Sequence, residues 1–247
     1  MVVAHVTVTG MVLAAMPVGD YDKRLVILTK ERGKITAFAR GARRQNSALL
    51  ACSQPFSFGE FQLYAGRDSY SVNSANISNY FGELRSNLDA IAYGFYFCEF
   101  AEYVTRENND EVEVLKLLYQ SMRALTKKTI PLKLIRYIFE LKLITIGGEM
   151  PEVFQCVSCE GTENVFRFSA SKGGLLCENC RALASDLIEL DGSTIYALQF
   201  IIVTPIEKLY TFTVSDSVLI QLGKVLKRYL ATYVDATFKS LDMLELL

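Results

Sequence analysis

Three observations predict a multi-domain α+β chain. Apolar and polar residues alternate with a period of two over residues 1–78, in short runs broken by Gly, Pro and Asp. Apolar stripes at helical spacing take over from residue 79. Two Cys-x-x-Cys pairs, Cys156–Cys159 and Cys177–Cys180, sit among those stripes. The predicted organisation is a five-stranded barrel domain at 1–78 and an all-α domain at 79–247, with a compact cysteine segment inserted at 153–182.

The strands follow in order. Val6, Val8, Gly10, Val12 and Ala14 alternate with His5, Thr7, Thr9, Met11 and Leu13, and Pro17, Gly19 and Asp20 are expected to close that strand. Arg24 to Lys30 reads as a second strand and Lys34 to Arg40 as a third, joined by Glu31-Arg32-Gly33. Gly41 to Ser47 is polar and glycine-led, so it is a loop. Phe58–Tyr64 and Ser69–Ala75 form a hairpin around Gly66-Arg67-Asp68. Five short strands with one long interruption after the third fit an OB-fold, a small bent barrel.

Helical periodicity then dominates. Leu84, Leu88, Ile91, Phe95 and Cys98 recur at helical spacing in a segment that is apolar nearly all round, which predicts a helix at the centre of the helical domain. Val114, Leu117, Leu118, Ser121 and Leu125 mark the next helix. Leu132, Ile135, Phe139, Leu143 and Ile146 mark a third, ended by Gly147-Gly148. After the cysteines, Asp191 caps a helix over Gly192–Val203 that Pro205 stops, and Ser215 caps a last stripe from Val218 to Tyr233. The cysteine segment is thus expected to be inserted between helices of one bundle.

The cysteine spacing carries chemistry. Each Cys-x-x-Cys presents two thiolates from one tight turn, and seventeen residues separate the pairs. Four sulfurs are the number that one Zn²⁺ takes at a closed structural site. Val165-Phe166-Arg167-Phe168 and Gly173-Gly174-Leu175-Leu176 supply the strand, turn and strand of a zinc ribbon. Two disulfides would need an oxidising compartment. A redox dithiol goes with a βαβ pattern that is missing, and iron–sulfur clusters use other spacings. The expected cofactor is one structural Zn²⁺ on Cys156, Cys159, Cys177 and Cys180. Cys52 and Cys98 stand singly in apolar sequence and read as small buried hydrophobes.

Net charge is −1, but its distribution is uneven. Residues 1–80 hold nine Lys/Arg against five Asp/Glu, and Lys23 to Arg44 alone has eight basic residues and one acidic. Such asymmetry points the basic part towards an anion. On the third strand, Lys34, Thr36, Phe38 and Arg40 share one face. Cations flanking an aromatic ring suit a single strand of nucleic acid, whose phosphates they track while the ring stacks on a base. An ordinary solvated surface, with Phe38 packed under helices, is the competing reading. The candidate nucleic-acid contacts are Lys23, Arg24, Lys34, Phe38, Arg40, Arg43, Arg44 and Arg67.

Catalytic signals are lacking. His5 is the only histidine, and neither a phosphate-binding loop nor a catalytic triad nor a paired-carboxylate metal pattern occurs. The longest apolar run, Ala90 to Cys98, is well short of the ~18 residues of a membrane span. The N-terminus has no basic start followed by an apolar centre. A cytoplasmic chain with reduced cysteines is expected.

The whole chain resembles the bacterial RecO family of DNA repair and recombination mediators. The resemblance rests on Gly10-Met11-Val12-Leu13, Gly19-Asp20-Tyr21-Asp22-Lys23 and Leu28-Thr29-Lys30-Glu31-Arg32-Gly33-Lys34. It continues in Ala39-Arg40-Gly41-Ala42-Arg43-Arg44, Gln54-Pro55-Phe56, Phe139-Glu140-Leu141-Lys142-Leu143 and Gly173-Gly174-Leu175-Leu176-Cys177. It implies an OB-fold, a helical domain with a zinc ribbon, and no enzymatic turnover. It also implies binding to single- and double-stranded DNA, strand annealing, and work with RecR and single-stranded DNA-binding protein to load RecA, on the bacterial nucleoid. The alternative reading is a protein-interaction adaptor whose basic patch binds acidic partners. Two departures stand out. Glu160 replaces the glycine expected after the first cysteine pair, so that turn is expected to shift by a residue. The pI of about 6.0 is low for a DNA binder, which would confine contact to the N-terminal patch.

Overall fold

A computed structural model of the chain describes residues 5–67, 69–127 and 129–244, the side chains of Asp242 and Met243 excepted. Compactness divides the chain into two units, Met1–Thr126 with Phe238–Leu247, and Lys127–Thr237.

The first unit is built on five strands, β1 (His5–Val18), β2 (Asp22–Thr29), β3 (Gly33–Ala39), β4 (Phe58–Ala65) and β5 (Tyr70–Asn79). They close into a barrel in the order β1-β2-β3-β5-β4, with β3 and β5 parallel and the other pairs antiparallel. This is the predicted OB-like barrel. Val8, Leu25, Ile27, Ile35, Ala37, Phe61 and Leu63 fill its interior. Because side chains alternate along a strand, Arg24, Lys34, Thr36 and Phe38 are left on the outer face. Asp68 of the expected β4–β5 turn lies outside the described residues.

Pro17 does not end β1, contrary to expectation; the strand runs on to Val18, with Pro17 opposite Lys23. β4 pairs with β1 only over His5–Met11. Pro17 therefore lies where β1 has a single partner, and its missing N–H is not needed.

The tip of the β2–β3 hairpin is tied to the loop after the first helix. Lys34 N–H donates to the Arg106 carbonyl at 3.0 Å, and Asn108 N–H to the Arg32 carbonyl at 2.9 Å. Gly33 makes the crossing possible. Its φ is +61°, and a Cβ there would come within 2.3 Å of the Arg106 carbonyl oxygen.

Helix α2 (Val112–Lys127) shows the expected stripe, with Val114, Leu117, Leu118, Ser121 and Leu125 all buried. Helix α1 (Leu88–Val104) does not: Leu88 and Phe95 of its expected stripe are exposed, Leu84 precedes the helix, and Tyr93, Phe97, Phe100 and Ala101 join Cys98 on the buried face. The packing of α1 is a correction. It lies against β1 in the barrel unit and against α6 (Lys239–Leu244), rather than at the centre of a helical domain. Phe238 inserts among Tyr96, Phe100 and Tyr103, its ring 4.7 Å from that of Phe100. The Glu99 carboxylate accepts from the backbone N–H groups of Lys239 and Ser240 and from the Ser240 hydroxyl, which caps the short helix.

The second unit holds α3 (Leu132–Ile146), α4 (Gly192–Val203) and α5 (Asp216–Tyr233). Between α3 and α4 lies the three-stranded sheet of β6 (Val165–Ser169), β7 (Gly174–Cys177) and β8 (Ile188–Glu189), in the order β7-β6-β8. Asp191 and Ser215 cap α4 and α5 as read, accepting from Thr194 N–H and Val218 N–H. The ribbon is braced on those helices. Gln199 donates to the Val153 carbonyl at 2.7 Å, Arg228 to the Asp186 carbonyl at 3.0 Å, and Phe168 packs on Tyr229.

Candidate nucleic-acid interface and metal centre

The metal centre follows from two tight turns and one hairpin. Cys156 and Cys159 sit on a turn closed by Cys156 N–H to the Gly161 carbonyl at 2.8 Å and Glu160 N–H to the Cys156 carbonyl at 2.9 Å. Val157 N–H bonds the Leu175 carbonyl at 2.8 Å, which docks that turn on β7, the strand ending at Cys177. Cys180 follows one turn later. The four sulfurs lie within 4.8 Å of one another, and those of Cys159 and Cys177 are 3.7 Å apart. A tetrahedral ion with metal–sulfur bonds of ~2.3 Å sets its sulfurs ~3.8 Å apart, so the cluster has the size for one such ion.

The electrostatics agree. Burial alone would raise the Cys156 thiol, but backbone N–H groups, led by that of Cys177, hold it down at about 6. The neighbouring thiols, Cys177 first, push Cys180 up to about 12. Four thiolates together need a cation, and this arrangement can hold a metal ion.

The expected shift of the first turn does not occur. Glu160 itself takes the left-handed conformation, with φ +59°, and Gly161 does not. The two hydrogen bonds that close the turn fix its length, so the residue after Cys159 adopts that geometry whatever its side chain.

Around the cluster, Arg167 is buried between acidic partners. It pairs with Glu178, reaches Glu189 at 3.1 Å, and lies 4.4 Å from the Phe166 ring centroid. Asp186 joins the strands of the ribbon by accepting from the Ser169 hydroxyl at 2.6 Å and from the Ser171 N–H and hydroxyl, both at 2.9 Å.

The basic residues of the barrel divide into two groups. Arg24, Arg40, Arg43 and Arg44 gather at one end. The 40–44 turn is pinned to the β1–β2 turn by Gly41 N–H to the Asp22 carboxylate at 2.7 Å and by Arg43 N–H to the Tyr21 carbonyl at 2.8 Å. The Arg43 guanidinium bonds the Gly19 carbonyl at 3.1 Å. Arg44 lies over the Tyr21 ring, 5.1 Å from its centroid. Arg24 faces Met16 on one neighbouring strand and Phe38 on the other. Phe38 is half-buried on this outer face. Among the described residues, none of these four arginines pairs with a carboxylate.

The lysines behave differently. Lys23 Nζ donates to the Ser53 carbonyl at 2.9 Å and so holds the long β3–β4 loop. Lys34 Nζ donates to the Glu102 carbonyl in the last turn of α1, where a cation also suits the helix dipole. Burial lowers both ammonium groups below the ordinary lysine range. Lys34 lies near the start of β3 and Arg40 just beyond its end, so the length of that strand separates them. Arg67 is exposed in the β4–β5 turn, outside the arginine group.

Sequence reasoning missed Tyr21, which is 53% exposed beside the arginines. Its signal was its place between two hairpin strands in a basic stretch. Cys52 and Cys98 are buried as read, and His5 packs its ring on Tyr64 at 4.4 Å.

Residues 1–81 match the family model described as Recombination protein O N terminal, and residues 85–242 match Recombination protein O C terminal. A protein of Alkaliphilus metalliredigens is 37% identical over 236 residues, 95% of this chain and 96% of that one. One of Acetivibrio thermocellus is 32% identical over 245 residues, 98% and 97% of the two chains. One of Caldicellulosiruptor bescii is 30% identical over 235 residues, 94% and 95%. Each bears the name DNA repair protein RecO. With both family models matched in order and relatives of this similarity along nearly its whole length, the chain belongs to the Recombination protein O family.

Proposed function

We propose that this protein is a DNA-binding recombination mediator. It binds single- and double-stranded DNA, promotes annealing of complementary strands, and works with RecR to load RecA on DNA coated by single-stranded DNA-binding protein. In this reading it acts without enzymatic turnover, in the bacterial cytoplasm on the nucleoid. No helix among the described residues is long and apolar enough to cross a membrane. One Zn²⁺ is the cofactor, held by Cys156, Cys159, Cys177 and Cys180, because an all-thiolate tetrahedral set favours that ion.

The observation that carries the reading is the gathering of Arg24, Arg40, Arg43 and Arg44 at one end of an OB-like barrel, without carboxylate partners among the described residues. Guanidinium groups are fork-shaped donors that match phosphate oxygens. Cations that neutralise two strands at once lower the repulsion that slows annealing. The domain assignment, 1–78 for the nucleic-acid-binding part and 79–247 for the helical part with its ribbon at 153–182, belongs to the same proposal.

Fluorescence anisotropy of a labelled oligonucleotide with the purified protein tests it. Four phosphate contacts give a slope of log affinity against log salt near −2.8 for single strands, from ~0.7 per contact. Absence of binding at low salt contradicts the reading and favours the adaptor alternative.

A further inference from the structure

We propose that Tyr21 forms a nucleobase-stacking subsite that lets this surface distinguish single-stranded from duplex DNA. The inference rests on the DNA-binding reading above and adds to it a residue with a different task from the arginines.

Tyr21 is a large ring kept in water at the end of a well-ordered hairpin, with 53% of its surface exposed. Its position is held from several sides. Its own carbonyl accepts from Arg43 N–H, the Gly19 carbonyl accepts from the Arg43 guanidinium, and the Asp22 carboxylate accepts from Gly41 N–H. The turn is therefore ordered before any ligand arrives, and little freedom is lost when one binds.

One neighbour of the ring is already a stacking group. The Arg44 guanidinium is 5.1 Å from the ring centroid, within cation–π range. A base laid on the ring's open surface would extend this stack, while Arg44 and Arg43 stay beside the flanking phosphates. Met16 and Val18, both more than a third exposed, add apolar surface on the adjoining strand. Phe38 is the poorer platform, because it is half-buried in the row it shares with Arg24.

Selectivity follows from access. A base offers its face only when it is unstacked from its neighbours, as in a single strand. In a duplex the faces are covered, so duplex binding draws on the cations alone. Phosphate contacts then set general affinity, and the ring sets the preference for single strands.

The test compares three labelled ligands of equal length by anisotropy: oligothymidine, an abasic oligomer with the same phosphates, and a duplex. Wild-type protein should prefer oligothymidine over the abasic strand. Tyr21→Ala should weaken oligothymidine binding about tenfold, as expected for one stacked base. It should leave abasic and duplex affinity and the salt slope unchanged. Tyr21→Leu, which keeps apolar bulk without a π face, should behave like the alanine variant, and Tyr21→Phe like wild type. Unchanged oligothymidine affinity in Tyr21→Ala, with wild type binding DNA, overturns the subsite alone. Equal losses on all three ligands overturn it as well. A wild-type protein that binds none of them removes both the subsite and the DNA-binding reading.

Discussion

The barrel and the ribbon keep their shapes by different means. The barrel buries eleven residues of one apolar cluster, among them Leu25, Ile27, Ile35 and Phe61, inside a sheet whose edges are joined. Other buried side chains of the ribbon, such as Phe168 on Tyr229, pack on the adjoining helices, and the cluster the ribbon keeps to itself has three buried residues, Cys156, Leu176 and Cys177, two of them candidate metal ligands. A core that small cannot offset the entropy of ordering its loops. The first region is thus stable through its own side chains. The second is braced by Gln199 and Arg228 of the adjoining helices and carries four sulfurs that could hold an ion.

Removing a ligand from the ribbon gives the largest expected effect. Cys177→Ser should lose most of the bound metal and lower the thermal midpoint by about 10 °C, since metal binding at such sites is folding free energy. A chelator should do the same to wild type. DNA affinity measured well below that midpoint should persist, because the arginines belong to the other region. Lost affinity with an unmoved midpoint breaks the comparison.

The barrel has its own weak point, of smaller size. Gly33→Ala places a side chain at φ +61° against the Arg106 carbonyl and should cost about 2–3 kcal/mol by denaturant titration, with metal content unchanged. An unaltered midpoint would mean that the hairpin tip does not depend on that close crossing.

A gain is expected in the ribbon. Glu160→Gly relieves a left-handed glutamate and should stabilise by about 1 kcal/mol in the metal-loaded protein. A loss of stability would indicate that the Glu160 side chain has a role beyond its backbone.

Where the chain's local rules decide the structure, the sequence was readable. Asp191 and Pro205 bounded α4 correctly, Ser215 capped α5, and the cysteine spacing located the sulfur cluster. Short or long-range features were not readable. β8 has two residues and α6 six, too few for any periodicity to register. The α1 segment is apolar nearly all round, so its periodicity picked out Leu88 and Phe95, which are exposed, and nothing in it says that its partners are β1 and α6. Lys34 looked like a phosphate contact because its carbonyl partner, Glu102, is 68 positions away. Tyr21 was passed over for Phe38 because alternation gives the face of a strand but not how fully the next layer covers it.

The proposed division of labour gives phosphates to arginines that pair with no carboxylate among the described residues, Arg43 also holding the Gly19 carbonyl, while Lys23 and Lys34 brace the fold. The most direct test is the salt dependence of single-strand binding in two double variants. Arg43→Ala with Arg44→Ala should flatten the slope by about 1.4, from ~0.7 per contact. Lys23→Ala with Lys34→Ala should leave the slope as in wild type and lower the thermal midpoint. A slope flattened by the lysine pair and untouched by the arginine pair would contradict the account.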